Sequence, residues 1–360
     1  MVLNDSMSSQ IITESQAATI KSLIKGARRV AVVCHMTPDG DAMGASLCMV
    51  HVMLSIGKFA TVIVPDCPPQ NLTFLPGADH IVVASCRPDR AASLLRDADL
   101  IVILDFNDLK RIDRMAPMVE ASDAGRIVID HHLNPSIEAD VVVSRPEVSS
   151  TCALLYQVLE AIGLERKISR EAAECCCTGM MTDTGNFSYN SNDSQLYRIM
   201  AALVAKGVDK DAIYTRLFNT NSESRIRLMG YAQSRKMQLF PEHQAAVITL
   251  SRDELNEFSY RRGDTESLVN VPLSIPGVTY SVFLREDEPG YVKISMRSKG
   301  DFSVKELCER YFGGGGHRNA AGGEMYAPIE DVEAKMISLL PECDSMLPDR
   351  QKTTNKKDNI

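Results

Sequence analysis

His35, Asp39 and Asp41 fall within seven residues of one another in VVCHMTPDGDAMGASL, Val32 to Leu47, directly behind an apolar run. A helix start needs one capping side chain, and Asp41 before Ala42 would serve. A second aspartate two residues earlier, with a histidine four residues before it, exceeds what a cap requires. The same donor types recur downstream. Asp105 ends LIVILD, the triplet Asp130-His131-His132 ends RIVIDHH, and Asp183 stands in MMTDTGNFSYN. Singly, each reads as a cap or a turn residue. Together, carboxylates and imidazoles gathered in one place are costly unless a cation joins them.

Mixed imidazole and carboxylate donors suit a borderline-hard divalent ion, which favours manganese over calcium or magnesium, with zinc sharing the preference. Four carboxylates, Asp39, Asp41, Asp105 and Asp183, balance the charge of two such ions. Two divalent ions about 3.5–4 Å apart lower the pKa of a shared water and clamp both oxygens of an in-line displacement at phosphorus. The chemistry indicated is metal-assisted hydrolysis of a phosphoester. No GxSxG elbow, Walker P-loop or CxxC pair points elsewhere.

These residues must be brought together by the elements that carry them. The runs RVAVVC, FATVIVP, HIVVAS, LIVILD and RIVID read as strands. Between them, Met43, Leu47, Val50 and Leu54 follow one helical face, and PDRAASLLRDA and DLKRIDRMAPMVEA also carry helical patterns. Apolar strands separated by helices imply an α/β fold, a mainly parallel sheet with helices on both faces. Such sheets bind ligands at the carboxyl ends of their strands. His35, Asp105 and the 130–132 triplet all follow strands, so a parallel sheet delivers them to one edge. Asp183 arrives from a helical pattern that stops at the turn residues Thr184-Gly185-Asn186.

Further helical patterns at 149–162, 169–180, 193–205 and 209–218 complete a first domain spanning 1–220. SESRIRLMGYAQSRKMQLF, Ser222 to Phe240, predicts a charged helical linker over 221–240. AAVITL, TYSVFLRE and YVKISMRS read as strands and SVKELCERYF as a helix, giving a smaller α+β C-terminal domain over 241–345. The remainder, 346–360, is polar and aperiodic, so a disordered tail is expected.

A chain of 360 residues is long enough for two cores. Its net charge of −8, without a long basic run, argues against a protein that coats duplex nucleic acid. No apolar run reaches the roughly eighteen residues of a membrane span, and no signal peptide is seen, so a cytoplasmic location is expected. The ten cysteines, several in apolar segments and three consecutive at Cys175 to Cys177, read as reduced and mostly buried thiols.

In order and spacing, HMTPDGDAMG, ILDFND, VIDHH and TDTGNFSYN resemble the four motifs of the DHH phosphoesterase superfamily, and GGGGHRNAAGG, Gly313 to Gly323, resembles the signature of the DHH-associated domain. SLVNVPLSIPGV and SMRSKG further resemble the second domain of the two-domain nano-RNase type, an oligoribonuclease that is also a phosphatase of 3′-phosphoadenosine 5′-phosphate (pAp). The resemblance implies two manganese ions. His35, Asp39 and a bridging Asp105 would hold one, and Asp41, Asp105, His131 and Asp183 the other. His132 would face the scissile phosphate, with Asp130 orienting a neighbouring imidazole.

The implied activity is hydrolysis of very short oligonucleotides to 5′-mononucleotides, or of pAp to AMP. A phosphodiesterase of linear di-adenylate or cyclic dinucleotides is the alternative enzyme, and a non-catalytic nucleotide-binding sensor is the alternative of another class. The partners implied are short single-stranded oligonucleotides or nucleoside bisphosphates, without duplex nucleic acid or membrane; a homodimer is compatible with this reading. Arg297, His317 and Arg318 are the candidate substrate cations. Ser298, Gly314, Gly315, Gly316 and Asn319 would complete a loop whose backbone amides approach an anion. Placed in the second domain, that loop suggests a cleft that closes around a short substrate.

Overall fold

The structure is a computed structural model that describes residues 11–347. The tail expected to be disordered lies outside the described residues from position 348 onward. The chain divides into two compact units, Met1–Thr220 and Asn221–Ile360.

In the first unit six strands form one sheet: β1 (Arg29–Val33), β2 (Phe59–Val64), β3 (Val82–Val83), β4 (Leu100–Leu104), β5 (Gly125–Asp130) and β6 (Val141–Ser144). The order is β3-β2-β1-β4-β5-β6, and every neighbouring pair is parallel. The chain steps outward from β1 to β3, then returns to lay β4 against the other side of β1. Loops leaving β1 and β4 therefore diverge, and the crevice between them is where sheets of this order bind ligands. His35 follows β1 and Asp105 follows β4.

Alternation along the strands sends side chains to two separate cores. Val30, Val32, Val102, Ile127 and Ile129 face one side, with helices α1 (Glu14–Gly26), α2 (Gly40–Ser55), α5 (Thr151–Ala161), α6 (Arg170–Asp183), α7 (Ser194–Ala205) and α8 (Lys210–Phe218). Ala31, Val33, Ile101, Ile103 and Val128 face the other, with α3 (Pro88–Arg96) and α4 (Ala116–Glu120). The two-sided α/β sheet read from the sequence is therefore the fold found.

Local differences have identifiable causes. On α2, Met43, Leu47 and Val50 are buried as their spacing requires, but Leu54 at the helix end is half exposed. Between its ends α2 is buried almost all round, because α6 lies close against it. A Cβ at Gly44 would stand 2.5 Å from the Cys175 carbonyl, so only glycine allows that approach. DLKRIDRMAPMVEA is not one helix: a 3-10 segment, Leu109–Met115, is interrupted where Asp113 takes φ 42°, and α4 is a short helix begun next to Pro117. HIVVAS contributes only the two-residue β3, whereas the four-residue β6 and the helix α1, which buries Ile20 and Ile24, are additional to the elements expected from the sequence.

The second unit opens with α9 (Glu223–Tyr231), which ends in a single π turn, Ala232–Lys236. The expected linker helix to Phe240 is thus too long. Met237–Phe240 is instead strand β7, pairing antiparallel with β8 (Ala245–Leu250), since the backbone groups of MQLF find partners on the sheet that helical continuation before Pro241 would forgo. The rest comprises α10 (Arg252–Glu257), β9 (Tyr280–Glu288), β10 (Tyr291–Ser298), α11 (Val304–Tyr311), β11 (Gly315–His317), β12 (Ala320–Tyr326) and α12 (Ile329–Cys343). The sheet order is β11-β12-β10-β9-β8-β7, antiparallel except for β8 beside β9. Tyr280, Val282, Ile294 and Met296 form its core with α11 and α12. Among the described residues no helix is long and apolar enough to cross a membrane.

Candidate metal centre

The loop from β1 to α2 is pinned at two points. The Met36 amide donates to the Arg111 carbonyl at 2.7 Å, and the amide of Thr37, itself at φ 47°, donates to Asp66 Oδ2 at 3.2 Å. Asp39, not Asp41, caps α2: its Oδ1 accepts from the Asp41 and Ala42 amides, both at 3.1 Å. Its other oxygen, Oδ2, lies 3.8 Å from His35 Nε2. One side chain thus serves both as cap and as potential ligand. Asp41 is wholly buried and held by the first turn of α5, with Oδ2 accepting from the Thr151 amide at 2.6 Å and Oδ1 from the Cys152 amide at 2.9 Å.

Asp105 occupies the middle. Its φ of 67° is a left-handed conformation that a non-glycine residue holds only when its surroundings impose it. Oδ2 stands 3.5 Å from His35 Nε2, and Oδ1 stands 3.6 Å from His131 Nε2 while accepting from the Thr151 hydroxyl at 2.8 Å. His131 Nε2 is also 3.2 Å from Asp183 Oδ2, at the last residue of α6. The Nδ1 atoms of His35 and His131 face backbone carbonyls of Met36 at 2.8 Å and Val148 at 3.2 Å. A carbonyl only accepts, so each Nδ1 carries a proton and each Nε2 points at the carboxylates. That is how metal-binding imidazoles are oriented.

His132 is arranged differently. Its Nδ1 contacts Oδ1 of the buried Asp130 at 2.7 Å, and its ring is partly open to solvent. Asp130 therefore orients His132 rather than His131.

The electrostatics of the cluster are those of a place lacking positive charge. Burial, reinforced by the charges of Asp105 and then Asp183, pushes the Asp41 carboxyl well above its usual range. Burial and then Asp105 raise Asp183 to about 8. His132 is raised chiefly by its hydrogen bond to Asp130, with the charge of Arg111 opposing. Three overlapping sets, His35-Asp39-Asp105, Asp41-His131-Asp183 and Asp105-His131-His132, each offer ligand atoms within 4.8 Å of one another. All six residues expected as ligands are thus gathered, and their donor chemistry fits divalent cations.

Thr151 and Arg111 were not anticipated. SS ahead of TCALL signals only a helix start, which Ser150 indeed caps; that the same turn holds Asp41 and Asp105 is a tertiary fact. Arg111 sits in an apparently helical stretch, and only the fold brings its charge near His132.

In the second unit the glycine run is not an open loop. Gly315–His317 form the edge strand β11 against β12, and Arg318-Asn319 make the two-residue turn between them. Gly316 has φ 142°, and a Cβ on Gly314 would collide with the Gly322 carbonyl, so the glycines let two backbones meet. Asn319 Nδ2 donates to Ser298 Oγ and to the Gly300 carbonyl, each at 2.9 Å, and Ser298 Oγ donates to the Phe302 carbonyl at 2.7 Å. Ser298 and Asn319 thereby fix the turn. Arg297, half-buried on β10, pairs in register with Ala320, which pairs with His317. Arg297, His317 and Arg318 so share one corner of the sheet, where Arg318 reaches Asp301 at 3.1 Å.

Residues 29–180 match the family model described as the DHH family, N-terminal domain, and residues 243–343 match the DHHA1 domain. The chain is 30% identical over 298 residues to the bifunctional oligoribonuclease and PAP phosphatase NrnA of Thermus thermophilus, covering 82% of this chain and 84% of that protein. The chain belongs to the DHH family. The DHH match takes in His35, Asp39, Asp41, Asp105 and the 130–132 triplet and stops three residues before Asp183; the DHHA1 match takes in Arg297 to Asn319. The crystal structure of an exopolyphosphatase-related protein from Bacteroides fragilis is similar with a TM-score of 0.88 at 42% identity, over 94% of this chain and 98% of that one. The exonuclease RecJ bound to manganese shares the fold, with a TM-score of 0.56 at 15% identity over 98% of both chains.

Proposed function

We propose that this DHH-family enzyme is a two-cation phosphoesterase that hydrolyses very short single-stranded oligonucleotides to 5′-mononucleotides and pAp to AMP. The observation that carries the reading is the position of Asp105, whose two oxygens face His35 on one side and His131 on the other. His35, Asp39 and Asp105 would hold one ion and Asp41, Asp105, His131 and Asp183 the second, with manganese favoured by the mixed donors. Such ions, when bound, neutralise the carboxylates and lower the pKa of a water shared between them.

The chain's own groups do the rest. Two backbone amides fix Asp41, and the Thr151 hydroxyl fixes Asp105, so neither carboxylate is free to swing away. Asp130 favours the protonated form of His132 and leaves Nε2–H to donate to a phosphoryl oxygen as charge develops there. Arg111 adds a second positive charge near that imidazole. In the second unit Arg297, His317 and Arg318 offer cations suited to phosphate, with Ser298 and Asn319 holding their turn. The choice of substrate class is supported by similarity, across both domains, to a protein described as an oligoribonuclease and PAP phosphatase. The net charge of −8 also suits a short substrate better than a long polyanion.

The test is a parallel panel: full-length protein with manganese and a labelled dinucleotide, a five-mer, a twenty-mer, pAp, cyclic di-AMP and pyrophosphate. Dinucleotide, five-mer and pAp should turn over fastest, with the twenty-mer slow. Pyrophosphate or cyclic di-AMP as the best substrate overturns the substrate assignment, and nucleotide binding without turnover of any overturns the enzyme reading.

A further inference from the structure

Eight of the ten cysteines are buried, as the sequence suggested, but Cys67 and Cys86 are exposed and stand with their sulfurs 4.0 Å apart. They come from neighbouring strands. Cys67 lies just beyond β2 and Cys86 just beyond β3, and the two backbones remain tied past the strands by the Ala84 amide on the Val64 carbonyl at 2.8 Å and the Ser85 amide on the Pro65 carbonyl at 3.1 Å. Both thiols therefore sit at the carboxyl edge of the sheet, the edge that also carries the metal-binding residues. Asp66, adjacent to Cys67, is the residue whose Oδ2 accepts from Thr37 in the loop between His35 and Asp39.

We propose that Cys67 and Cys86 form a redox modification site: a peroxide closes them into an intramolecular disulfide, and closure acts through Asp66 on the loop carrying His35 and Asp39. In the first step one thiolate attacks the peroxide; an S–O bond forms, the O–O bond breaks, and the leaving hydroxide is protonated to water. In the second, the other thiolate attacks the sulfenic sulfur; the S–S bond forms, the S–O bond breaks, and hydroxide again leaves as water. Two thiols and one hydrogen peroxide give one disulfide and two waters, and a dithiol reverses the reaction by exchange. A disulfide requires about 2.05 Å between sulfurs, so one or both must advance by roughly 2 Å in total. The Cys86 amide is itself tied to the Val83 carbonyl at 3.1 Å, which limits how much of that Cys86 can supply, and movement at Cys67 is passed to Asp66. The buried thiols are shielded from oxidant and do not compete.

The experiment treats metal-free, full-length protein with hydrogen peroxide, maps the peptides without reduction, and titrates manganese by calorimetry before oxidation, after it, and after a dithiol. Expected are a link between residues 67 and 86, a fall from ten to eight titratable thiols in the denatured chain, and at least a three-fold loss of manganese affinity that the dithiol restores. Cys67→Ser and Cys86→Ser should each abolish the link and the loss together. The proposal is overturned by a link between two molecules, by no link, by full linkage with unchanged manganese affinity, or by an equal loss in either serine variant. Linkage and manganese binding are read without substrate, so a failed substrate panel would leave this result standing.

Discussion

Thr151→Val removes one hydroxyl and little else. Wild-type Thr151 donates its amide to Asp41 at 2.6 Å and its hydroxyl to Asp105 at 2.8 Å, and it is completely buried. Valine keeps the β-branched shape and the amide bond to Asp41, so the change isolates the contact to the shared carboxylate. A hydrogen bond to a charged group is worth about 1.5–3 kcal/mol. At roughly 1.4 kcal/mol for each factor of ten, its loss corresponds to about a ten- to hundred-fold weakening of manganese binding, the range typical when a group orienting a metal ligand is removed. Manganese titration by calorimetry on wild type, Thr151→Val and Thr151→Ser reads it directly, with thermal melting to confirm that each variant is folded. Serine, which keeps the hydroxyl, should recover most of the affinity. Valine binding manganese as tightly as wild type, or serine failing as badly as valine, would refute the role given to Thr151.

Other predictions follow from the same geometry. Asp130→Asn should lower kcat by about 10²-fold, at the low end of what a positioned proton-bearing group contributes, while leaving two ions bound per chain; loss of an ion on metal analysis would show that Asp130 supports a ligand instead. Gly179→Ala would drive a Cβ to 2.7 Å from Asp41 Oδ1 and into the Cys152 sulfur, so a destabilisation of about 1–3 kcal/mol in denaturant titration is expected, together with weaker manganese binding. Without metal, the protein should lose stability as pH rises. Asp183 goes from an ordinary 3.8 to about 8, so the folded state binds that proton more tightly than the unfolded state, and stability declines between about pH 4 and 8. His132, also raised, acts in the same direction above its ordinary value of 6.5. Denaturant titrations at pH 5 and pH 8 should show the fall, and saturating manganese should reverse it; a metal-free protein that gains stability over this window contradicts the repulsion described.

The candidate ligand residues were legible because they stand where an apolar run or a helix stops or, at Asp39 and Asp41, where a helix begins, and a parallel sheet sends all strand ends to one edge. His35, Asp105 and His131 needed only that inference. Strand order was not legible: nothing in RVAVVC or LIVILD says that β1 and β4 are neighbours, although their adjacency sets the crevice. Thr151 and Arg111 escaped for a related reason, since their partners lie 46 to 110 residues away or act only through space. MQLF resembled the end of a helix until sheet pairing claimed it, and the glycine run resembled a loose cradle although its glycines serve to bring β11 against β12. In each case local pattern was overridden by a long-range backbone contact. At Asp39 the competing readings proved compatible, one oxygen capping α2 and the other facing His35.

The central claim is that two cations meet at Asp105. Anomalous diffraction from crystals grown with manganese tests it most directly. Two peaks are predicted, one contacting His35, Asp39 and Asp105 and the other contacting Asp41, Asp105, His131 and Asp183. A single peak, or two peaks that do not share Asp105, would contradict the account.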